Sequence, residues 1–412
     1  MLTLDEALAA LLARAAPVAE VDQLSTLEAD ARVLAADQFA TMDVPPMDNS
    51  QMDGYALRLQ DLGVQADNGA TMPQLAVRQR IAAGHPAAPL EPGTAARVFT
   101  GAFIPQGADA VVLQEPVEAG AEGIRCLHRP RRGEWIRRAG EDVARGARIL
   151  AQGQRLNPQA LGLAASVGVA QLPVYRQLRA GCFFTGDELA MPGEPLRPGA
   201  IYNSNRFVLV NLLRRLGCIV EDLGIVPDSR ERTREALRAA AGRCDLIVSS
   251  GGMSVGEEDH VKPAVEAEGE LHAWQIAIKP GKPLAWGLVR SSGREAHFIG
   301  LPGNPVSSFV TFLLFVQPFI LRLQGQREVL PQAIMMRADF DWPRPDRRRE
   351  FLRVRVNAQG GLERFPNQGS GVLTSTVWAE GLADIAPHTP VNRGDRVPYL
   401  PFHGWAALQG PA

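Results

Sequence analysis

An alternation of apolar and amphipathic stretches from Leu178 to about Gln324 restricts the fold of this chain more than any other feature. The apolar stretches include "RAGCFFTG", "CIVEDLGIV" and "CDLIVSS", and between them stand "NSNRFVLVNLLRRLG" and "DSRERTREALRAAAG". Short apolar runs that alternate with amphipathic helices are typical of βαβ units, which build a mainly parallel sheet. The sequence therefore predicts a doubly wound α/β domain over residues 177–327.

The remaining chain is expected to form further domains around this one, because 412 residues are too many for a single hydrophobic core. Residues 45–141 contain short alternating runs with many glycines and prolines, which predicts a β-rich insert domain. Residues 328–412 return to short strands and turns, which predicts a C-terminal β domain of barrel-like form. The fold class is thus α/β and multidomain.

Helical patterns flank the β-rich insert, and residues 1–44 and 142–176 together are expected to form a helical linker domain. "TLDE" has the pattern of a capping box, and Asn157 followed by Pro158 has the pattern of a helix N-cap with proline in the first turn. "TLEADARVLAADQFA" has the spacing of a second amphipathic helix.

Charge and cysteine usage indicate the class of protein. With 43 basic and 45 acidic residues the net charge is −2, which argues against a nucleic-acid or anionic membrane partner. Four scattered cysteines without a close pair fit reduced core thiols and a cytoplasmic location. The most apolar segment, "PVSSFVTFLLFVQPFILRL", contains two serines, a glutamine and an internal proline, which favours a buried or subunit-interface helix over a membrane span.

The stretch "SSGGMSVGEED" follows a predicted buried strand, at the sheet edge where doubly wound domains bind ligands. Gly251 and Gly252 would let backbone amides turn toward an anion, and the hydroxyls of Ser249, Ser250 and Ser254 would add donors. The pattern matches neither common phosphate-loop motif, so a plain glycine-rich turn is an equally good interpretation of this stretch alone.

Other polar segments are expected at the same edge. Asp187 and Glu188 follow the first strand, Asp228 precedes a helix that it could instead merely cap, and Lys279 and Lys282 flank a Pro-Gly turn. Acids beside a phosphate site require a bridging cation, because bare carboxylates would repel the ligand. These segments predict a metal-assisted nucleotide or phosphoester site, and the alternative is solvated surface charge.

Nine segments, taken in order, resemble the molybdopterin molybdotransferase family, the bacterial relatives of the gephyrin E domain. The segments are "PPMDNSQMDGYAL", "VFTGAFIPQGADAVVLQE", "RRAGEDV", "TGDEL", "GAIYNSNRFVL", "DLIVSSGGMSVGEEDHVK", "AIKPGKPLAWG", "IGLPGNPVSS" and "RREFLRV". The resemblance implies an elongated four-domain homodimer in which residues 1–44 and 142–176 contribute to dimerisation. It also implies an enzyme that inserts molybdate into adenylylated molybdopterin and releases AMP, with Mg²⁺ or another divalent cation.

The resemblance further implies roles for individual residues. Catalytic roles would fall to Asp53, Thr100, Asp142, Glu188, Asp228 and Asp259, of which Glu188, Asp228 and Asp259 would hold the metal. Substrate would be bound by Ser250, Gly251, Gly252, Ser254, Lys279, Lys282, Pro302, Pro305 and Arg349, and Arg349 would face molybdate. Asp53, Thr100 and Asp142 would reach the pocket of the other subunit, so that the active site would be shared.

The chain departs from the family pattern at Phe184, where many members carry serine, and at Gln275, where some carry lysine. Ser370 and Ser375 in the loosely matching tail are weaker candidates, and His260 is expected to be a surface residue. Two other functions remain open: a molybdopterin adenylyltransferase, and a non-catalytic scaffold of the gephyrin type. The sequence distinguishes neither molybdate from tungstate nor the adenylyltransferase that would supply the substrate.

Overall fold

A computed structural model describes residues 1–63, 72–252 and 260–402 of the chain. Its centre is a six-stranded sheet, and the strands in spatial order are Ile219–Val226, Arg179–Thr185, Leu246–Ser250, Arg294–Leu301, Pro283–Ser291 and Gly269–Gln275. The first four strands run parallel, and the last two join the sheet through antiparallel pairing. The predicted mainly parallel α/β sheet is confirmed.

Helices cover both faces of this sheet because successive side chains of each strand point to opposite faces. Cys182 and Phe184 pack into the larger core with the helices Ser204–Arg215 and Pro305–Leu323. Phe183, between them, packs into a second core with the helices Arg230–Ala241 and Val261–Glu268. Each buried strand therefore reads as a continuous apolar run.

The helix Pro305–Leu323 is long and apolar enough to cross a membrane, but 89% of its most apolar window is buried inside the protein. Its middle, Phe312–Val316, is a π-helical turn directly before Pro318, which has no N–H to donate. The helix is a core element of the central domain, as the sequence predicted.

The linker region is less helical than predicted. The helix Leu4–Leu12 has the predicted capping box, with the Glu6 N–H donating to Thr3 Oγ1 at 3.2 Å and the Thr3 N–H donating to Glu6 at 2.8 Å. Its buried leucines join the large core of the central domain rather than a core with residues 142–176. The helix Pro158–Ser166 is capped by Asn157 as predicted.

The predicted second helix over "TLEADARVLAADQFA" is wrong. Only Thr26–Glu28 forms a short 3₁₀ turn, and the following chain is extended. Leu34 bridges Val174, and the strand Gln38–Phe39 pairs with Arg148–Leu150. Pairing with distant chain thus overrides a modest local helix preference. The strand Val21–Ser25 pairs with Gln171–Tyr175 in the same region.

The β-rich domain is an insertion whose two connections lie side by side, since Val44 and Val143 form an isolated antiparallel bridge. Its main sheet has four strands, which are Ala76–Ile81, Thr94–Val98, Gly54–Leu57 and Ala110–Leu113 in spatial order. The hairpin Val117–Gly120 with Gly123–Cys126 and a long-range antiparallel pair, Asn49–Ser50 with Ile136–Arg137, complete it.

The C-terminal domain joins the central one through the short strand Ile278–Lys279, which pairs with Arg349–Val356. The further strands of this domain are Ile334–Arg337, Leu362–Arg364, Gly381–Ile385 and Arg396–Pro401, and it includes the short helix Thr374–Trp378. An isolated bridge between Ala338 and Leu362 connects the end of Ile334–Arg337 to Leu362–Arg364. Together with the other strand pairs, this bridge closes the sheet on itself.

Candidate active site

A cleft of about 1050 Å³ opens at the carboxyl ends of the central parallel strands, between the central and C-terminal domains. We call it the main cleft. The predicted site residues that line it are Glu188, Asp228, Ser250, Gly251, Gly252, Lys279, Lys282, Pro302 and Pro305, together with Phe184 and Ser370. The fold thus gathers residues from five segments of the central domain at the edge that the βαβ pattern predicted, and Ser370 joins them from the C-terminal domain.

The glycine loop begins in a conformation that only glycine adopts easily. Gly251 and Gly252 have φ angles of 99° and 63°, and a Cβ on Gly251 would stand 2.3 Å from the carbonyl oxygen of Thr185. These two glycines therefore bring the loop against the end of the first strand. Ser254, Gly256, Glu257, Glu258 and Asp259 lie outside the described residues.

The Ser250 hydroxyl is fixed by its neighbours. It donates to the Pro302 carbonyl at 3.1 Å and accepts from Asn205 Nδ2 at 2.9 Å. Asn205 also donates to the Gly303 carbonyl at 2.8 Å, so one side chain ties together the two glycine-containing loops of the cleft. Asn205 lies in the quoted segment "GAIYNSNRFVL", but sequence reasoning did not single it out; its position in the first turn of a helix was the available signal.

Asp228 does not cap the following helix, whose N-cap position is Ser229. Its carboxylate instead accepts from the Asp187 N–H at 3.1 Å, and the Asp228 N–H donates to Asp187 at 3.3 Å. Burial raises the pKa of Asp228, and repulsion from Asp187 and Glu188 adds to the effect. No ion pair reaches these three acids within the part of the chain that the structure describes.

The acids suit a divalent cation in number and type. Among the described residues no group of three or more His, Cys, Asp or Glu side chains is arranged to hold a metal. Mg²⁺, however, commonly uses one or two carboxylates and completes its shell with water and substrate phosphate oxygens. Glu188 and Asp228 fit that requirement, with Asp259 outside the described residues.

Lys279 and Lys282 stand on a tight turn with a cis Lys279–Pro280 bond. Gly281 has a φ of 104°, and a Cβ there would stand 2.4 Å from Thr311 Oγ1. Lys279 Nζ lies 3.0 Å from Glu350 Oε1 and 3.4 Å from Asp346 Oδ2. Lys282 is exposed, and no partner contacts its ammonium group in the described chain.

The arginine of the C-terminal domain that lines the cleft is Arg348, not Arg349. Arg349 donates to both oxygens of Asp384, at 2.7 and 2.6 Å, and also contacts Asp5 of the N-terminal helix at 3.3 Å. Alternation along the strand places neighbouring side chains on opposite faces. The sequence had assigned Arg349 to molybdate, and this structure places that side chain in an ion pair outside the cleft lining.

Arg353 is a buried guanidinium behind the cleft wall. It donates to Ser375 Oγ at 3.2 Å and to the Gly369 carbonyl at 3.4 Å, and no carboxylate pairs with it among the described residues. Burial lowers its pKa to about 10. It supports the segment that contributes Gln368, Gly369 and Ser370 to the cleft, whereas Ser375 is fully buried and does not line it.

The three candidate residues from the β-rich and linker regions, Asp53, Thr100 and Asp142, do not line the cleft of their own chain. The Asp53 carboxylate accepts from the Thr100 N–H and hydroxyl, both at 2.8 Å, and these bonds hold the pKa of Asp53 below its usual value. Asp142 is exposed, and its N–H donates to the Val44 carbonyl at 3.0 Å. Gln275, on the edge strand, and His260 are likewise absent from the lining.

Three family models match consecutive parts of this chain. The model of the MoeA N-terminal region (domain I and II) matches residues 2–168, and that of the probable molybdopterin binding domain matches residues 181–322. The model of the MoeA C-terminal region (domain IV) matches residues 336–402.

Curated and structurally solved proteins are similar to the chain over most of its length. The molybdopterin molybdenumtransferase of Haemophilus influenzae is 42% identical over 411 residues, 98% of this chain and 99% of that protein. The molybdopterin molybdenumtransferase of Nostoc sp. is 34% identical, covering 86% of this chain and 82% of that protein. A crystal structure of the molybdopterin biosynthesis MoeA protein from Pyrococcus horikoshii OT3 has a TM-score of 0.84 at 28% identity, covering 98% of this chain and 100% of that one.

Proposed function

We propose, from the premise that this chain belongs to the molybdopterin molybdenumtransferase family, that it transfers molybdenum to molybdopterin. In finer terms, it inserts molybdate into adenylylated molybdopterin and releases AMP. One observation supports this proposal most strongly: the unpaired acids Asp228 and Glu188 line the same cleft as Lys279, Lys282 and the glycine loop. A cleft lined by both acids and lysines suits a phosphate-bearing ligand that binds through a cation.

The chemistry needs positioning and charge neutralisation more than a protein nucleophile. Glu188 and Asp228 would hold a divalent cation, Mg²⁺ in our proposal, which supplies charge neutralisation at the phosphate. Lys282, which is exposed and unpartnered in the described chain, is free to contact a phosphate oxygen. Ser250, held by Asn205, and the two glycines shape the wall against which the ligand lies.

Molybdate, a dianion, would bind near Lys279 and the wall supported by Arg353. Arg353 is buried without a carboxylate partner in the described chain, and its positive charge favours an anion beside Ser370 and Gly369. We therefore propose that Arg353 and Arg348, rather than Arg349, act on the oxyanion. Arg348 also donates to both oxygens of Asp346, at 3.1 and 2.9 Å, but unlike Arg349 it lines the cleft. Tungstate has the same charge and shape and is the natural competitor.

A homodimer with shared active sites would bring Asp53, Thr100 and Asp142 of one subunit to the cleft of its partner. Two groups of exposed apolar side chains support this arrangement. Met47 and Met52 precede Asp53. Ile201 and Tyr202 line the main cleft, and Phe207 is exposed on the helix that follows them. Apolar side chains exposed in groups mark protein contact surfaces. The finer division into linker and dimerisation, β-rich, central and C-terminal domains belongs to the same proposal.

The protein would work in the cytoplasm, where its four buried free thiols stay reduced and an upstream molybdopterin adenylyltransferase would deliver the substrate. The experiment that tests the function measures AMP release by the purified protein from adenylylated molybdopterin, with molybdate and Mg²⁺. Release should require both, should stop with a chelator, and should compete between molybdate and tungstate. Rapid ATP-dependent adenylylation of molybdopterin instead would identify an adenylyltransferase, and no turnover of either kind would favour a scaffold.

Complementation tests the shared site. The Asp53→Asn and Asp228→Asn variants should each be inactive alone. When the two variants are mixed and exchange subunits, about half of the dimers are heterodimers, and each heterodimer has one intact site out of two. The mixture should therefore recover about a quarter of wild-type activity. A mixture that stays inactive although heterodimers form would place each site within one subunit.

A further inference from the structure

A second cavity, of about 210 Å³, lies at the opposite end of the central sheet from the main cleft. It is lined by the chain just before the strands Arg179–Thr185 and Ile219–Val226, and by the linker segment around Arg32. Five arginines face it, namely Arg32, Arg155, Arg176, Arg214 and Arg215. We call it the arginine cavity.

Two of the five arginines are already neutralised. Arg32 donates to Asp22 at 2.8 Å, and Arg176 donates to both oxygens of Asp245 at 2.8 Å and pairs with Glu20. These pairs form the rigid part of the wall. They leave the cavity's charge to the other three arginines.

Arg155, Arg214 and Arg215 have no hydrogen-bond or ion-pair partner for their guanidinium groups among the described residues. Arg155 is partly buried, and burial lowers its pKa; Asp30 is the acid that faces it, at a distance beyond direct contact. Four carboxylates, those of Asp22, Glu20, Asp245 and Asp30, thus stand against the five arginines, which leaves the cavity with net positive charge. Arg155 is partly removed from water without a partner, so it lacks hydrogen bonds that an oxyanion would restore. The exposed Arg214 and Arg215 add further guanidinium donors.

Gln324 adds a buried acceptor to the same wall. Its Nε2 donates to the Leu216 carbonyl at 2.7 Å, whereas its Oε1 is buried and accepts no hydrogen bond within the described chain. A protonated oxygen of a ligand such as hydrogen phosphate would satisfy this atom. The cavity is also too small for a pterin nucleotide, because ligands of drug size occupy roughly 300–1000 Å³.

We propose that the arginine cavity binds a compact tetrahedral oxyanion, held by Arg155 from the linker region and by Arg214 and Arg215 from the central domain. Phosphate and molybdate share this shape and charge, and both are sources of such a ligand. Because its ligands come from two domains, the anion would also fasten the linker region to the central sheet. This site is separate from the main cleft and does not depend on the proposed reaction.

Calorimetric titration of the full-length protein with sodium phosphate and, separately, with sodium molybdate tests the proposal at constant ionic strength. Arg155→Met and the double variant Arg214→Ser/Arg215→Ser should weaken one binding event at least tenfold. Arg78→Met, an exposed arginine of the β-rich domain without a partner in the described chain, is the matched control and should bind as wild type does. The anion that binds more tightly, phosphate or molybdate, is the preferred ligand of the cavity.

The Arg214→Ser/Arg215→Ser variant tests binding without disturbing folding, because both side chains are exposed and their replacement leaves the core intact. Circular dichroism should show native spectra for this variant and for Arg155→Met. AMP release at saturating molybdate should stay at the wild-type level, so the result is independent of the proposed function. If both variants bind phosphate and molybdate as the Arg78→Met control does, the cavity is not an oxyanion site.

Discussion

Lys279 Nζ, at the wall of the main cleft, lies 3.0 Å from Oε1 of Glu350, a carboxylate that is only 1% exposed. The other oxygen of Glu350 accepts from Trp342 Nε1 and from the Asp346 N–H, both at 2.8 Å. A buried, hydrogen-bonded carboxylate of the C-terminal domain thus forms an ion pair with a lysine of the central domain. We expect Glu350 to influence a bound ligand only through Lys279, as a positioning residue.

Glu350→Gln should lower kcat/KM by about tenfold, because Lys279 loses the charge that orients it. The measurement is a double-mutant cycle with Lys279→Met, using AMP release. In the Lys279→Met background the Glu350→Gln change should have little further effect. An equal loss in both backgrounds would mean that Glu350 only stabilises the fold.

Asp228→Asn should raise the Tm at pH 7 and reduce AMP release by about a hundredfold. The pKa of Asp228 in the folded protein is raised above the ordinary value of 3.8. Such a group contributes fully to stability below pH 3.8, and the contribution is lost as pH rises through the folded-state pKa. The asparagine removes the penalty, so the gain in Tm should vanish toward pH 3.8.

Asp339→Asn provides a comparison of opposite sign. Arg337 and Asn357 hold the pKa of Asp339 well below its usual value, so its ionised form favours folding at neutral pH. Its replacement should lower the Tm at pH 7. Thermal melts of the two variants across pH 3–7 would contradict this account if both moved in the same direction.

Asn205→Ala should raise the KM for adenylylated molybdopterin several-fold, because it frees the Ser250 hydroxyl and the Gly303 carbonyl from a shared donor. Asn211→Ala is a matched control on the same helix, where the amide donates only to the Phe207 carbonyl. Steady-state kinetics of the two variants should therefore differ, and equal KM values would deny Asn205 a role in the cleft.

The four cysteines should resist alkylation in the native protein. All are buried, and burial raises the pKa of Cys126 to about 11 and that of Cys218 and Cys244 to about 12. Thiolate is the reactive form, so iodoacetamide at pH 8 should modify none of them within the time in which urea-unfolded protein reacts at four sites. Mass spectrometry counts the adducts, and fast modification of a native thiol would reveal local opening.

Sequence reasoning succeeded where a physical rule acts locally. The capping box at Thr3, the proline-initiated helix after Asn157 and the glycine loop at Gly251 each depend on neighbours in the chain, and each stands as expected. Asp228 reaches the cleft because it follows the parallel strand Ile219–Val226, whose carboxyl end lies at that edge. Lys279 reaches the same edge because it precedes the antiparallel strand Pro283–Ser291.

It failed where partners are distant. The chain after Thr26 has the spacing of a helix, yet strand pairing with residues 148–174 decides its form. Nothing local distinguishes Arg348 from Arg349 as a cleft residue, because Asp384, which binds Arg349, comes 35 residues later. The burial of Arg353 likewise could not be predicted from its neighbours in the chain, because it depends on the packing of the whole C-terminal domain.

The bridge between Val44 and Val143 has a consequence for modularity. Both connections of the β-rich domain pass through this one point, so nearly a hundred intervening residues, roughly the size of a small domain, could be excised and the ends rejoined by a short turn. The remaining chain would keep the central sheet and the main cleft within a single subunit. Such a minimal protein would reveal whether the main cleft binds its ligand without the β-rich domain.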